Sequence, residues 1–416
     1  MSQAQYQNDM SAYDVNRIRA DFPILSQEVH GKPLTFLDNG ASAQKPRQVI
    51  DAMRSVYETE YANVHRGAYQ LSERATERYE GARGIVQRFL NAKSRQEIVF
   101  AKNVTEVINL VAYSYARCVL EPGDEVIITD MEHHSNIVPW QLMRDERGLV
   151  LNYVSCTDDG EFRIEDLAKL ITPKTKLISL THVSNVMGTV VPIKEVAKLA
   201  HDHGAKLMVD GAQAVMHMPV DVQDLDCDFY AFTGHKIYGP SGIGVLYGKA
   251  ELLDAMPPFL GGGDMILSVT MENSTWAALP AKFEAGTPPI AQAIGLGAAL
   301  EYVSGIGLEG IAAHEIDLLN YATQQLSSID GLRIIGTAPN KTSVVSFTMD
   351  GAHPHDISTI IDQAGVCVRA GHHCAQPLME RMGVPATTRA SFGMYNTREE
   401  ADTLVAALGN VREIFS

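Results

Sequence analysis

Seven short apolar stretches between residues 98 and 247 alternate with segments long enough to form helices. Such stretches, rich in Val, Ile, Leu and Phe and bounded by turn residues, are typical of buried strands. The predicted strands are Ile98–Phe100, Glu125–Thr129, Leu149–Val154, Lys176–Leu180, Lys206–Asp210, Asp228–Phe232 and Gly244–Tyr247. This alternation predicts an α/β fold with a mostly parallel central sheet covered by helices.

The pattern changes near Pro289, where two long helices are predicted at Ile290–Val303 and Leu308–Ser327. The elements after them do not alternate regularly, which predicts a smaller α+β domain. These elements are strands Leu332–Ile335, Ser343–Thr348 and Val366–Arg369, a helix over Asp356–Gln363 and a final helix from about Arg398. We therefore predict an N-terminal extension over residues 1–20, a large domain over 21–300 and a small domain over 301–416.

The N-terminal region is interpreted from its capping and turn residues. Residues 1 to about 12 are predicted to be disordered, and Asp14 is predicted to cap a short helix that Pro23 ends. A brief strand over Leu34–Leu37 and a helix starting near Pro46 are predicted to follow.

Composition excludes several classes of partner. The chain has 416 residues and a net charge of −16, which argues against nucleic acid and anionic membranes. Its five cysteines have neither the pattern of a disulfide framework nor metal-ligand spacing. No apolar run approaches the roughly 20 residues of a transmembrane helix, and the first residues lack a signal or transit pattern. We therefore expect a cytoplasmic protein with no metal site.

A lysine and an aspartate follow two of the predicted strands. Asp210 ends one strand, and Lys236 comes 26 positions later, just after the next strand. The carboxyl ends of strands are where α/β folds build their sites, and a partly desolvated lysine can condense with an aldehyde. This pair suits pyridoxal phosphate, because the lysine can hold the aldehyde as a Schiff base while the aspartate keeps the pyridine nitrogen protonated. The alternative is a salt bridge at a sheet edge.

Other polar side chains are candidates for holding the same cofactor. The stretch Asn103–Glu106 opens a helix; taken alone, it is better explained as an ordinary capping box, but beside the lysine and the aspartate its free N–H groups suit the cofactor's phosphate. Thr105, Thr233 and His235 are further phosphate donors. His133 can stack on a pyridine ring and move protons, unless the pair His133–His134 is a plain surface pair. Gln213 is a candidate donor to the ring's phenolic oxygen.

Cys374 is the one cysteine flanked by turn residues and histidines, in a predicted loop over residues 369–377. Free cysteines are more often small buried hydrophobes, but the neighbours Arg369, His372 and His373 favour a thiolate here. Arg389 is the lone charge of its predicted strand and is a candidate for binding a substrate carboxylate with two hydrogen bonds.

These motifs together resemble those of the group II (SUF-type) cysteine desulfurases, in the aminotransferase class V family. The likeness runs from about Asp21 to the C-terminus. It is carried by Met-Glu-His-His at 131–134, Asp-Gly-Ala-Gln at 210–213, Thr-Gly-His-Lys at 233–236, Arg-Ala-Gly-His-His-Cys at 369–374 and Arg-Ala-Ser-Phe at 389–392. The resemblance implies pyridoxal phosphate fold type I and a homodimer with its sites at the subunit interface.

The resemblance also implies roles for single residues. Lys236 resembles the Schiff-base lysine, Asp210 the pyridinium partner, Gln213 the phenolate contact and Cys374 the persulfide-forming nucleophile. His133 resembles the stacking acid/base. The implied phosphate ligands are Thr105, Thr233, His235 and, from the other subunit, Thr287. The implied substrate-binding residues are Arg389 and Asn185 for the carboxylate and Ala41, His65 and Arg369 around the pocket.

The implied reaction converts L-cysteine to L-alanine and leaves the sulfur as a persulfide on Cys374. A SufE-like or SufU-like acceptor protein is implied to take that sulfur for iron-sulfur cluster assembly, and L-selenocysteine is an open second substrate. A kynureninase-like lyase or an aminotransferase would share Lys236 and Asp210 without needing Cys374. A non-enzymatic pyridoxal phosphate sensor would need a DNA-binding domain, for which we see no room before Asp21.

Overall fold

The computed structural model describes residues 13–415. The predicted disorder of residues 1 to about 12 lies outside this range. The strands are β1 (Glu28–Val29), β2 (Lys32–Pro33), β3 (Thr35–Phe36), β4 (Ile98–Ala101), β5 (Glu125–Thr129), β6 (Val150–Val154), β7 (Thr175–Thr181), β8 (Lys206–Asp210), β9 (Phe229–Thr233), β10 (Gly244–Gly248), β11 (Ile266–Val269), β12 (Ser274–Trp276), β13 (Leu332–Ile335), β14 (Val344–Met349), β15 (Val366–Cys367), β16 (Arg369–Gly371) and β17 (Thr387–Ser391).

Helices fill most of the chain between the strands. The α-helices are Val15–Ala20, Arg47–Ser55, Gln70–Phe89, Val104–Leu110, Arg117–Val119, Val138–Arg147, Ile164–Leu170, Ile193–Asp202, Ala214–His217, Val222–Leu225, Ala250–Ala255, Ile290–Ile306, Leu308–Ser327, Pro354–Asp362, Gln376–Arg381 and Arg398–Phe415. Turns of π-helix run over Val56–Glu60 and Val111–Ala116, and 3-10 turns over Pro23–Ser26, Arg95–Glu97, His134–Asn136 and Ala281–Phe283.

The central sheet has seven strands in the order β4-β10-β9-β8-β7-β5-β6. The pairs from β9 to β6 are parallel, whereas β10 runs antiparallel to both of its neighbours. The prediction of a mostly parallel sheet covered by helices is confirmed. Asp210 ends β8 and Lys236 follows β9, and these strands are hydrogen-bonded neighbours with Asp210 opposite Ala231. The sheet therefore places Lys236 and Asp210 at the same end, where the carboxyl ends of β8 and β9 lie.

A second sheet, in the order β13-β14-β17-β16, is built from residues after 331 and is antiparallel. The predicted single strand over Val366–Arg369 is wrong in its extent. β15 instead pairs in parallel with β3 near the N-terminus, and β16 pairs Arg369 with Arg389 of β17. The start of the predicted loop over residues 369–377 is thus a strand. The sequence does not predict it because the segment is extended only by pairing with β17, and its Gly and Ala leave no local pattern.

The buried core divides between the two sheets. One apolar group lies under the second sheet and contains Leu37, Phe347 and Phe392 together with side chains of the last helix. The N-terminal segment around Leu37 therefore packs with C-terminal residues. The predicted domain boundary near residue 300 falls inside the continuous helix Ile290–Ile306 and remains a prediction.

The cap of the first helix and the length of the apolar helices are two further features of the fold. Asp14 caps the helix Val15–Ala20 as predicted, accepting a hydrogen bond from the N–H of Arg17. Among residues 13–415 no single helix is long and apolar enough to cross a membrane. Only Ile290–Ile306 and Leu308–Ser327 together, bent by 76°, meet that length and composition.

Candidate active site

A cavity of about 230 Å³ opens where the carboxyl ends of β5, β7 and β8 meet the second sheet. Most of the side chains predicted for the site line this one cavity. They are Ala41, Thr105, His133, Asn185, Asp210, Gln213, His235, Lys236, Arg369, Cys374 and Arg389. Residues from both sheets therefore converge on one space, which the order of the strands in the sequence does not reveal.

Lys236 and Asp210 lie buried in this cavity. Burial lowers the pKa of Lys236 to about 8, an effect that the nearby Asp210 carboxylate opposes. Burial also raises the pKa of Asp210, which accepts a hydrogen bond from the N–H of Ala212 over 3.0 Å. A lysine with this pKa is partly neutral near pH 7 and can act as a nucleophile or a base.

The imidazole of His133 is held in one orientation by Ser135. The Nδ1 atom of His133 accepts a hydrogen bond from the backbone N–H of Ser135 over 3.1 Å and lies 2.8 Å from its hydroxyl. With Nδ1 acting as the acceptor, the neutral ring carries its hydrogen on Nε2. Burial, followed by the charge of Lys236, lowers the pKa of His133 to about 3, so the ring is neutral at physiological pH.

Gln213 is also placed in the cavity, but part of its amide is already used. Its Nε2 donates to the carbonyl of Gly40 over 2.7 Å, and its buried Oε1 has no protein partner. The second hydrogen on Nε2 remains for the predicted bond to a phenolic oxygen.

One wall of the cavity is the start of the helix Val104–Leu110. Asn103 caps this helix, its side chain accepting from the N–H of Glu106 over 2.9 Å, and Thr105 stands exposed in the first turn. The first residue of β10, Gly244, packs directly under the cap, where an added Cβ would lie 2.5 Å from the Asn103 carbonyl carbon. The glycine therefore sets the position of this helix start.

The opposite wall carries the fully buried guanidinium of Arg389. Its Nη1 donates to the Asn185 carbonyl over 2.8 Å, and its Nη2 pairs with Asp38 over 3.1 Å. Its Nε has no partner within the protein. Burial lowers the pKa of Arg389 and raises that of Asp38, but the pair remains an arginine beside a carboxylate. A carboxylate ligand would satisfy the unpaired donor.

Cys374 enters the cavity from the segment that follows β16. The thiol is exposed, as predicted, and Cys118 is the other exposed cysteine among the described residues. Its neighbour His373 is buried, with Nε2 lying 2.8 Å from the Thr387 hydroxyl, and the His373 carbonyl accepts from the Asn185 amide over 2.7 Å. Burial lowers the pKa of His373 to about 3. His373 is therefore neutral and is not the source of positive charge near the thiol, contrary to the sequence interpretation.

Three predicted residues do not line this cavity. The Thr233 hydroxyl lies at the end of β9 and donates to the Ile243 carbonyl over 3.3 Å. Thr287 is exposed and lines a different cavity of about 460 Å³. His65 is also exposed, with its Nε2 3.0 Å from Glu80. Within one chain, therefore, neither Thr287 nor His65 lines the cavity that contains Lys236.

Several residues that position the site have no role predicted from the sequence. Asp38 pairs with an arginine 351 positions away, and Ser135 fixes the tautomer of His133. Glu132 is buried beside them, and burial raises its pKa to about 8 despite hydrogen bonds from Thr129, Asn136 and the Thr181 N–H. The motif Met-Glu-His-His was visible, but only its third residue was assigned a role.

The residues present fit pyridoxal phosphate. The buried Lys236 amine, the Asp210 carboxylate and the neutral His133 ring surround one space, and the helix start at Asn103 faces its other end. The buried Gln213 Oε1 and Arg389 Nε lack protein partners, and buried polar groups of this kind are normally satisfied by a ligand or an ordered water.

Comparisons with known proteins agree with the site. The aminotransferase class-V family model matches residues 35–404. A cysteine desulfurase from Dickeya dadantii is 52% identical over 403 residues, covering 97% of this chain and 98% of that protein. One from Synechococcus elongatus is 52% identical over 400 residues, which are 96% of this chain and 64% of that protein. The crystal structure of the cysteine desulfurase CsdA (S-sulfonic acid) from Escherichia coli matches with a TM-score of 0.91 and 40% identity, covering 97% of this chain and all of the other.

The fold and the cavity define a pyridoxal phosphate-dependent enzyme of fold type I. The chain belongs to the aminotransferase class-V family, and the relatives named above are cysteine desulfurases.

Proposed function

We propose that this enzyme converts L-cysteine to L-alanine and holds the sulfur removed as a persulfide on Cys374. The observation that carries the proposal is the placement of the exposed Cys374 thiol in the same cavity as Lys236 and Asp210. A lyase or aminotransferase of the same family would need the lysine and the aspartate but no thiol at this position. The cysteine desulfurases among the relatives support the same reaction.

Each end of the substrate has a complementary group in the cavity. Bound there, pyridoxal phosphate supplies an electron sink that acidifies the α-hydrogen of an amino acid. Arg389 offers its unpaired Nε to the carboxylate, with Asn185 beside it. Lys236, whose pKa is about 8, can accept the α-hydrogen at Nζ and return a proton to carbon.

The sulfur step uses the thiol of Cys374. Its thiolate attacks the substrate sulfur, so that an S–S bond forms and the bond between the substrate's Cβ and its sulfur breaks. The electrons of the broken bond remain on the carbon side, where protonation of Cβ gives the methyl group of alanine. Overall, cysteine and a protein thiol become alanine and a protein persulfide, with no added oxidant.

We also propose a sulfur acceptor, a second substrate and a cellular compartment for the enzyme. The enzyme passes its persulfide sulfur to a SufE-like or SufU-like acceptor for iron-sulfur cluster assembly. It also accepts L-selenocysteine, because selenium fits the same chemistry. It works in the cytoplasm, where reducing conditions keep thiols free. These statements rest on the family resemblance and the exposed thiol.

The enzyme works as a homodimer in this proposal. Thr287 and His65 are exposed and lie away from the Lys236 cavity of their own chain. The cavity beside Thr287 is rimmed by the exposed aromatic rings of Tyr57 and Tyr61, which a second subunit would cover. Thr287 and His65 would then reach the cavity of the second subunit.

The decisive test is the replacement Cys374→Ser. The variant should keep its cofactor and bind L-cysteine, with a spectral change, but it should not release sulfur to an acceptor, because a hydroxyl does not form a persulfide. Mass spectrometry of the wild type after L-cysteine should find one added sulfur on the Cys374 peptide. Sulfur on Cys118, Cys156, Cys227 or Cys367 instead, or wild-type desulfuration by the serine variant, would favour a lyase that needs no thiol.

A further inference from the structure

The main chain just after the Cys374 side chain is hydrogen-bonded at two points by one residue, His134, which follows the central sheet's strand β5. The backbone N–H of His134 donates to the Cys374 carbonyl over 2.7 Å. The imidazole of the same residue accepts, through Nε2, the backbone N–H of Gln376 over 3.0 Å. His134 therefore contacts the chain on either side of Ala375, immediately after the thiol-bearing residue.

The side-chain bond requires a neutral ring. An imidazole accepts at Nε2 only when its hydrogen is on Nδ1, and a protonated ring has no acceptor. Burial and the neighbouring His372 lower the pKa of His134, which favours the accepting form. His134 thus has a role separate from that of His133: it accepts a hydrogen bond from the first N–H of the helix Gln376–Arg381.

The Cys374 segment has a conformation that needs such support. His373 and Cys374 both have positive φ angles, of 53° and 54°, and non-glycine residues rarely adopt this left-handed region. The upstream half is held by the small sheet and by Asn185, through the His373 carbonyl. The downstream half, which includes the Cys374 carbonyl and Gln376, is held by His134.

We propose that His134 is a positioning residue that fixes the Cys374 backbone so that the thiol points into the Lys236 cavity. This inference rests on the proposed function, because the thiol is the sulfur-accepting group there. His134 does not touch substrate or cofactor in this role. Its loss should slow the sulfur step while leaving cofactor binding and α-hydrogen chemistry in place.

Two substitutions separate the hydrogen bond from the bulk of the ring. In His134→Gln, the amide oxygen can still accept from Gln376 near the former Nε2 position, whereas His134→Leu keeps the bulk without an acceptor. Both retain the backbone N–H. The exposed His355, which stacks on His353 in the second domain, gives a matched control as His355→Leu.

Three measurements on the holoenzymes test the role. In single-turnover experiments, His134→Leu should form the Cys374 persulfide at least tenfold more slowly than the wild type, and His134→Gln should recover to within about threefold. Exchange of the α-hydrogen of L-alanine in heavy water, which needs Lys236 but no thiol, should stay within about twofold. Alkylation of Cys374 by iodoacetamide should be severalfold faster in the leucine variant, because the thiol is no longer held in the cavity.

Equal losses of α-hydrogen exchange and persulfide formation would mean a general disturbance of the site and would overturn the inference. A His134→Leu variant that forms persulfide at the wild-type rate would also overturn the inference. A His134→Gln variant that forms persulfide no faster than His134→Leu would do the same. If the wild type forms no persulfide, the proposed function fails by itself. The alkylation rates of the wild type and the two variants then still decide whether His134 holds the segment.

Discussion

The guanidinium of Arg389 is fully buried yet incompletely paired, and in the proposed function it binds the substrate carboxylate. Arg389→Ala should raise the KM for L-cysteine by an amount equivalent to about 2–5 kcal/mol, the range for truncating one member of a buried charge pair. Cofactor content, measured from the absorbance of the purified protein, should stay normal. The exposed Arg398, which pairs with Asp317, is the control, and Arg398→Ala should leave KM unchanged.

An Arg389→Ala enzyme with the wild-type KM would move the carboxylate site elsewhere. A loss of cofactor in the same variant would instead indicate that Arg389 shapes the whole cavity through Asp38 and Asn185.

Lys236 gives the site a pH dependence that can be measured before substrate is added. In the cofactor-free protein its pKa is lowered to about 8 by burial, so the amine is protonated below that pH and neutral above it. Only the neutral amine attacks an aldehyde. The rate of covalent attachment of pyridoxal phosphate should therefore rise roughly tenfold per pH unit below 8 and level off above it.

Borohydride trapping followed by mass spectrometry of the Lys236 peptide measures that rate. The Lys236→Ala protein should show no trapped cofactor at any pH. A midpoint near the ordinary lysine pKa would contradict the assigned burial, and a trapped adduct on the alanine variant would contradict the assignment of the lysine.

The contact between β10 and the turn before helix Val104–Leu110 sets the end of the cavity where the sequence predicts the phosphate to bind. A Cβ at Gly244 would lie 2.5 Å from the Asn103 carbonyl carbon and 2.7 Å from its Cα, and both are backbone atoms that cannot turn aside. Gly244→Ala should therefore weaken retention of pyridoxal phosphate in dialysis at least tenfold and cost about 1–3 kcal/mol of unfolding free energy.

Gly409 is the matched control. It lies in the helix Arg398–Phe415, and a Cβ there would meet no atom within 4 Å. Gly409→Ala should be neutral or slightly stabilising and should leave cofactor retention unchanged. If Gly244→Ala and Gly409→Ala have the same stability in thermal unfolding and the same cofactor retention in dialysis, the Asn103 turn tolerates displacement.

The elements differ in how well the sequence predicts them, for physical reasons. β5 and β8 have the predicted bounds because each is an apolar run closed by a polar residue. β16 was interpreted as a loop because Arg369–Gly371 acquires its strand conformation only by pairing with β17. The hairpin of β11 and β12 was missed, since its residues are mostly exposed and show no buried pattern.

The residues of the site also differ in how well the sequence predicts them. Lys236 and Asp210 could be paired from strand ends, because neighbouring parallel strands bring their carboxyl ends together. The ion pair of Asp38 with Arg389 could not be predicted, because its partners are 351 positions apart and no local pattern connects them. For Thr233, the motif gave the residue but not the direction of its hydroxyl, which faces Ile243.

At the scale of the whole molecule, the exposure of Thr287 leads to a test of the proposed dimer. In a symmetric dimer, each cavity would combine Lys236 of one chain with Thr287 of the other. Mixing Lys236→Ala with Thr287→Ala protein and letting subunits exchange should then restore complete cavities in about one quarter of the sites. Alanine production, assayed at a cofactor concentration too low to support the Thr287→Ala protein alone, measures that recovery.

Lys236→Ala protein mixed with wild type controls for dilution of subunits. Absence of recovery after exchange, with mixed dimers verified by mass spectrometry, would place Thr287 outside the second subunit's cavity.

The pairing of β3 with β15 joins residues Thr35–Phe36 to Val366–Cys367, and Asp38 then reaches Arg389 from the same N-terminal segment. Contacts of such sequence separation carry a loop-closure cost and cannot form until both segments have been synthesised. During synthesis, the central sheet is complete once residue 248 has left the ribosome, whereas the substrate-binding wall has to wait for the last strand. A nascent chain therefore completes the strands that position Asp210 and Lys236 well before the wall with Arg389 exists, so any reaction that needs both walls has to wait until the polypeptide is almost finished.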